Sequence, residues 1–232
     1  MSAPFDTYSG NYDDVVQRSI DFAGVRHEVF MLAKVRDLAD IFARHFGERR
    51  PSLLDVGCGV GAMHEPLSAI TSRLAGCDLS AKCLATARAR NPRVAYREQR
   101  GRALPFEDAS FDVTLAVCVF HHVPVAERDG LVAEMVRQTR PGGLVVIIEH
   151  NPWNPLTRLA VKRCELDLDA ILIRAGEART RLTQAGLMCV RTRHILLTPS
   201  AARWAGMLEK PFHALPFGAQ YVAHGEVPGV SA

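Results

Sequence analysis

Leu53-Leu54-Asp55-Val56-Gly57-Cys58-Gly59-Val60-Gly61 is an apolar run that breaks into three alternating glycines. A short run of this kind reads as a buried strand, and glycines let the backbone turn tightly while leaving room for a ligand against the main chain. The residues that follow are helical in character, so the turn opens onto free N–H groups at a helix start. Asp78 stands twenty-one positions after Gly57, at the end of a second apolar run, Leu74-Ala75-Gly76-Cys77. A carboxylate there can accept both hydroxyls of a ribose. Strand, glycine turn, helix, strand and acid together predict a nucleoside-binding half.

Outward from that segment the pattern repeats. Short apolar runs predict strands at Ser52–Val56, Arg73–Cys77, Arg93–Arg97, Phe111–Cys118 and Leu144–Glu149, with further ones at Met188–Leu197 and Gln220–Ala223. Amphipathic spacing predicts helices over 26–46, Ala62–Ser72, Ala81–Arg90, Val125–Thr139 and Leu156–Leu187. Arg140-Pro141-Gly142-Gly143 reads as the turn between the fourth helical stretch and the next strand, since Pro cannot continue a helix and Gly permits the turn. Alternating strands and helices make an α/β protein with a mostly parallel sheet and helices on both faces. We expect one domain over 1–232: an N-terminal helical cap (1–47), a cofactor-binding core (50–150), a cap over the substrate (151–187) and C-terminal strands (188–232).

The glycines alone do not choose a ligand. Gly57, Gly59 and Ala62 satisfy the dinucleotide pattern G-x-G-x-x-G/A, and Asp78 supplies its ribose acid. Asp55 discriminates. It sits two residues before the first glycine, where a pyrophosphate would meet its negative charge. A ligand carrying an α-ammonium and a sulfonium would be attracted there.

Residues 53–61 resemble motif I of the class I S-adenosylmethionine-dependent methyltransferases, and Asp78-Leu79-Ser80 resembles their ribose-binding acid with its followers. Leu104-Pro105-Phe106 through Ser110-Phe111-Asp112 is similar to the run leading into their fourth strand. Cys118-Val119-Phe120-His121-His122-Val123 resembles the segment leaving that strand, and Arg140-Pro141-Gly142-Gly143 the turn before the fifth. Within the family the likeness is to the small-molecule, quinone-methylase-like group. It implies a Rossmann-like, seven-stranded fold with a reversed last strand and S-adenosylmethionine as cofactor. It places Gly57, Cys58 and Gly59 along the methionine part, Asp78 on the ribose, Leu79 against the adenine, and the Cys118 main chain near the sulfonium. Tyr12, with Tyr8, belongs to the segment that folds over the cofactor in that family. One residue departs from the pattern: Arg100, before Gly101, stands where the group keeps an acid for the adenine amine. Arg cannot accept that hydrogen bond, which leaves the reading to the Gly101 backbone.

The acceptor side is less marked. His122 and His150 are candidate proton acceptors; the plainer reading makes the His121-His122 pair helix-entry residues bonded to backbone. Trp153 either lines the acceptor pocket or packs in the core. With 232 residues there is room for a modest cap and no appended recognition domain, which favours a small-molecule acceptor over a macromolecular one. A fold kept for nucleotide binding without turnover is the alternative from another class. Six scattered cysteines read as reduced core thiols, and no metal is expected because His121-His122 lacks a partner at ligand spacing. A net charge of +3 with dispersed arginines argues against nucleic acid. No apolar run approaches a bilayer span and the first ten residues do not resemble a secretory signal, so a cytoplasmic protein is expected, its oligomeric state open.

Overall fold

A computed structural model describes residues 5–198, 200, 207 and 209–229; the parts of the expected terminal segments outside these ranges lie beyond the described residues. Seven strands, β1 (Ser52–Val56), β2 (Arg73–Asp78), β3 (Ala95–Glu98), β4 (Phe111–Val117), β5 (Thr139–His150), β6 (Met188–Ile195) and β7 (Gln220–Glu226), form one sheet in the order β3-β2-β1-β4-β5-β7-β6. The first five run parallel, and β7 lies antiparallel between β5 and β6. The helices are α1 (Tyr12–Ile20), α2 (His27–Phe46), α3 (His64–Ser68), α4 (Ala81–Arg90), α5 (Arg128–Gln138), α6 (Pro155–Arg163) and α7 (Ala175–Gln184).

The two-residue period of a strand sorts neighbouring side chains to opposite faces. Leu53, Val113, Leu115, Val146 and Ile148 meet Leu38 and Phe42 of α2 on one face. Leu54, Val56, Ala116, Val145 and Ile147 meet α5 and α7 on the other, through Val132, Met135, Ala178 and Leu182. Each fully buried aliphatic or aromatic side chain here contributes roughly 1.5–3 kcal/mol.

Three expectations change. Residues 140–143 are not a free turn: they bulge within β5, because Phe111 pairs with Thr139 while Val113 already pairs with Leu144. Gly142 takes φ +76°, and a Cβ on Gly143 would lie 2.5 Å from the Asp112 carbonyl oxygen, so glycine is required at this bulge. The second predicted helix shrinks to α3, since a turn closed by the His64 N–H on the Gly61 carbonyl (3.1 Å) takes up its first residues. At its far end the Thr71 hydroxyl donates to the Leu67 carbonyl at 2.9 Å.

The caps are also smaller than expected. α2 belongs to the layer packed on the sheet, which leaves α1 as the N-terminal cap. In 151–187, α6 and the 3-10 turn Glu165–Asp167 cover the site while α7 packs on the sheet face. α6 is capped by Asn154, whose side chain accepts from the Thr157 N–H at 3.0 Å, with Pro155 in the first turn where its missing N–H costs nothing.

Candidate active site

A cavity of about 700 Å³ opens at the carboxyl ends of β1, β2, β4 and β5, roofed by α1 and α6. This is where open α/β sheets bind ligands. The volume lies in the range of small-molecule and cofactor sites, roughly 300–1,000 Å³.

The glycine loop forms one wall. Gly57 and Cys58 N–H groups both donate to the Cys77 carbonyl, at 2.8 and 3.0 Å, which ties the loop to the end of β2. Gly57 has φ +69°, and a Cβ there would lie 2.7 Å from Val119 Cγ2; Gly59 has φ +52°. Asp78 braces the same loop: its Oδ2 accepts from Gly59 N–H and its Oδ1 from Ser80 N–H, each at 2.8 Å. Burial pushes its carboxyl upward, and those two N–H groups oppose the shift. Each oxygen keeps a further lone pair for a ligand hydroxyl. Leu79 is 54% exposed and lines the cavity, leaving an apolar face free for an aromatic ring.

Asp55 is buried and lines the cavity, with Oδ2 3.0 Å from His64 Nε2; His64 Nδ1 lies 2.5 Å from the Tyr96 hydroxyl. His64 and Tyr96 fix the acid beneath the glycine turn. His64 follows Gly61 by three residues, but nothing local signalled that it would turn back onto β1. Cys58 and Gly101 also line the cavity. Arg100 does not: its side chain is 84% exposed and pairs with Glu98 at 3.5 Å, so Gln99, Gly101 and Arg102 form this part of the wall.

At the far end, Cys118 adopts φ +55° while its N–H donates to the Ile148 carbonyl at 2.8 Å. A left-handed non-glycine residue is a strained feature of the kind found at functional sites. His121 is buried between two carboxylates, Nδ1 2.6 Å from Glu149 Oε2 and Nε2 3.2 Å from Asp167 Oδ1. Burial opposes its charge, but those acids outweigh burial and raise its pKa well above the ordinary value. Glu149, fully buried, also accepts from the Phe120 N–H at 2.7 Å. Asp167 reaches His122 Nε2 at 3.3 Å, and His122 stacks edge-on against Phe5. Burial, with the charge on His121, lowers His150 to about 4, so it is neutral at physiological pH and a weak base. Its Nδ1 lies 3.4 Å from the Gln220 amide nitrogen.

Tyr12 lines the cavity from α1, its phenol pushed upward by burial first and then by the neighbouring Cys118 and Asp167. Tyr8 is not among the lining residues. Neither is Trp153: it is 65% exposed beside Arg174, whose guanidinium carbon lies 5.3 Å from its ring centre, so neither expectation for it holds. Lys34, Glu149 and Asp167 were not singled out from the sequence. Lys34 is buried on α2, lines the cavity, and has no hydrogen-bond or ion-pair partner among the described residues. The six cysteines are free thiols, though Cys189 is exposed instead of buried.

Fold and cavity together define an α/β protein with a small-molecule-sized ligand site beside a glycine loop and a partner acid. Residues 54–147 match the family model described as a methyltransferase domain. The chain is 30% identical over 191 residues to the ubiquinone biosynthesis O-methyltransferase of Sinorhizobium medicae, covering 75% of this chain and 76% of that one. It is 32% identical over 158 residues to the demethylmenaquinone methyltransferase of Beutenbergia cavernae, covering 65% and 62%. A solved S-adenosylmethionine-dependent methyltransferase of Thermotoga maritima shares the fold with a TM-score of 0.64 at 19% identity, over 96% of this chain and 97% of that one. The chain belongs to the class I S-adenosylmethionine-dependent methyltransferases. It transfers a methyl group from that cofactor to a small-molecule acceptor. Among the described residues no helix is long and apolar enough to cross a membrane.

Proposed function

We propose that the acceptor is a hydroxyl on a small aromatic molecule and that the cofactor is held by the loop and acids described above. One observation carries this reading: a single cavity joins the glycine loop to a chamber lined by His122, Lys34 and Tyr12. The residues fit the cofactor. Asp78 would take the ribose hydroxyls, Leu79 and the Gly101 backbone the adenine side, and Asp55 with Gly57, Cys58 and Gly59 the methionine part. The names of the two relatives, one an O-methyltransferase of ubiquinone biosynthesis and the other acting on demethylmenaquinone, support a quinone-like ring. So do the apolar Phe30, Met31 and Leu196 in the cavity wall.

When bound, S-adenosylmethionine supplies an electrophilic methyl on a sulfonium: the O–CH₃ bond forms as the S–CH₃ bond breaks, and a neutral thioether and a proton are released. The protein's work is alignment and exclusion of water. α1 and α6 close the chamber, and the left-handed Cys118 lines it. His122 is the better placed of the two candidate bases, since it is partly exposed to the cavity while His150 is a weak base. The Lys34 ammonium would face the oxygen as it loses its proton.

Incubation with S-adenosylmethionine and a panel of phenols and quinols, read by mass spectrometry, tests the reading. A methyl ether together with S-adenosylhomocysteine is expected; methylation confined to added protein or nucleic acid contradicts it. His122→Ala should lower turnover by about 10²–10⁴-fold while leaving S-adenosylhomocysteine affinity unchanged, and unaltered turnover would remove His122 from the mechanism.

A further inference from the structure

We propose that His121, His150 and Asp167 bind a divalent transition-metal ion at the acceptor end of the cavity, with a position left open for the oxygen to be methylated. The inference deepens the reading above and rests on its assignment of this chamber to the acceptor. The three residues come from separate parts of the chain: the turn after β4, the end of β5, and the 3-10 turn after α6. Each offers one ligand atom, all of these lie within 4.8 Å of one another, and all three residues line the cavity.

One of the three pairs already has the spacing of coordinated atoms. Ligand atoms roughly 2.0–2.1 Å from one tetrahedral ion lie about 3.3–3.4 Å apart; His121 Nε2 and Asp167 Oδ1 are 3.2 Å apart. The surroundings fit as well. Glu149 accepts from His121 Nδ1 at 2.6 Å and is itself fixed by the Phe120 N–H, which sets the ring with Nε2 toward Asp167. A carboxylate behind a ligating histidine is the usual outer support of a metal site. Two imidazoles and one carboxylate suit zinc, cobalt, manganese or iron(II), and three protein ligands leave room for a fourth.

Such an ion would have two effects. It would polarise an acceptor hydroxyl bound at the open position, so that the proton leaves before or as the O–CH₃ bond forms. It would also fasten the α6 cap to the sheet through Asp167. His150 would then serve as a ligand, and His122 would remain the group able to receive the proton.

The test uses tag-free, chelator-stripped full-length protein without cofactor. It is titrated with cobalt(II) chloride, followed by visible absorption, and with zinc and manganese chlorides, followed by calorimetry. One ion per chain is expected for at least one metal, with ligand-field bands from cobalt and a rise in melting temperature. His150→Ala and Asp167→Asn should each weaken binding by more than the roughly 10–100-fold that loss of an outer support costs, and Glu149→Gln by about that amount. Absence of 1:1 binding by the wild type for all three metals would overturn the proposal, without depending on any variant. So would undiminished affinity in both ligand variants. A parallel titration with S-adenosylhomocysteine reports the cofactor site separately, so failure of the metal site and failure of the methyltransferase reading are told apart.

Discussion

Asp78 is asked to do two things at once. It accepts from Gly59 and Ser80 N–H groups at 2.8 Å, shaping the loop, and it has lone pairs left for a ribose. Asp78→Asn should therefore weaken S-adenosylhomocysteine binding by about 1.5–3 kcal/mol, or roughly 10–100-fold, measured by calorimetry; an unchanged dissociation constant would remove Asp78 from the site. Gly57→Ala should be as damaging for a different reason. At φ +69° any side chain is strained, by about 1–3 kcal/mol, and the new methyl meets Val119 at 2.7 Å. A lowered melting temperature with lost cofactor affinity is expected, and a variant as stable and as tight as the wild type would show that the loop does not need its geometry. At this scale the glycine-loop wall of the cavity was legible because its residues are local: Asp55, Gly57 and Gly59 lie within five positions. The acceptor half was not. Asp167 lies 46 positions from His121, and Lys34 reads from its own neighbourhood as one more charge on an amphipathic helix.

Strands were found by their apolar runs, and their ends by nothing so clear. β5 begins at Thr139 because the bulge lets Arg140-Pro141-Gly142-Gly143 remain within the strand, a pairing no local pattern reveals. The long helical stretch after Asn154 divides into α6, a 3-10 turn and α7, because its two ends answer to different partners, the cavity and the sheet. The join between β1 and β4 carries a prediction. Asp112 Oδ2 accepts from the Ser52 N–H and hydroxyl, each at 2.8 Å, and Oδ1 pairs with Arg49 at 3.1 Å. Burial alone would raise its carboxyl; the Ser52 and Arg49 contacts outweigh it and hold it below the ordinary value. A depressed folded-state pKa stabilises above the unfolded value of about 3.9 and is lost as pH falls through the folded one. Asp112→Asn should thus cost about 1.5–3 kcal/mol at neutral pH, with the gap to wild type closing on acidification below about pH 4. A gap in melting temperature that stays constant with pH would contradict this account.

For the whole molecule, the strand order β3-β2-β1-β4-β5-β7-β6 reverses direction at β1 and β4, and the cavity lies over that reversal. The alternation of strands and helices made the parallel sheet legible. The placement of α1 and α6 over it depended on contacts far apart in sequence. A dinucleotide-binding enzyme shares the strand, the glycines and the ribose acid, and differs at Asp55, which His64 holds beneath the loop. The most direct test is calorimetric titration of the purified protein with S-adenosylhomocysteine and with NADH. Saturable 1:1 binding of the former and none of the latter is predicted; NADH binding without S-adenosylhomocysteine binding would contradict it.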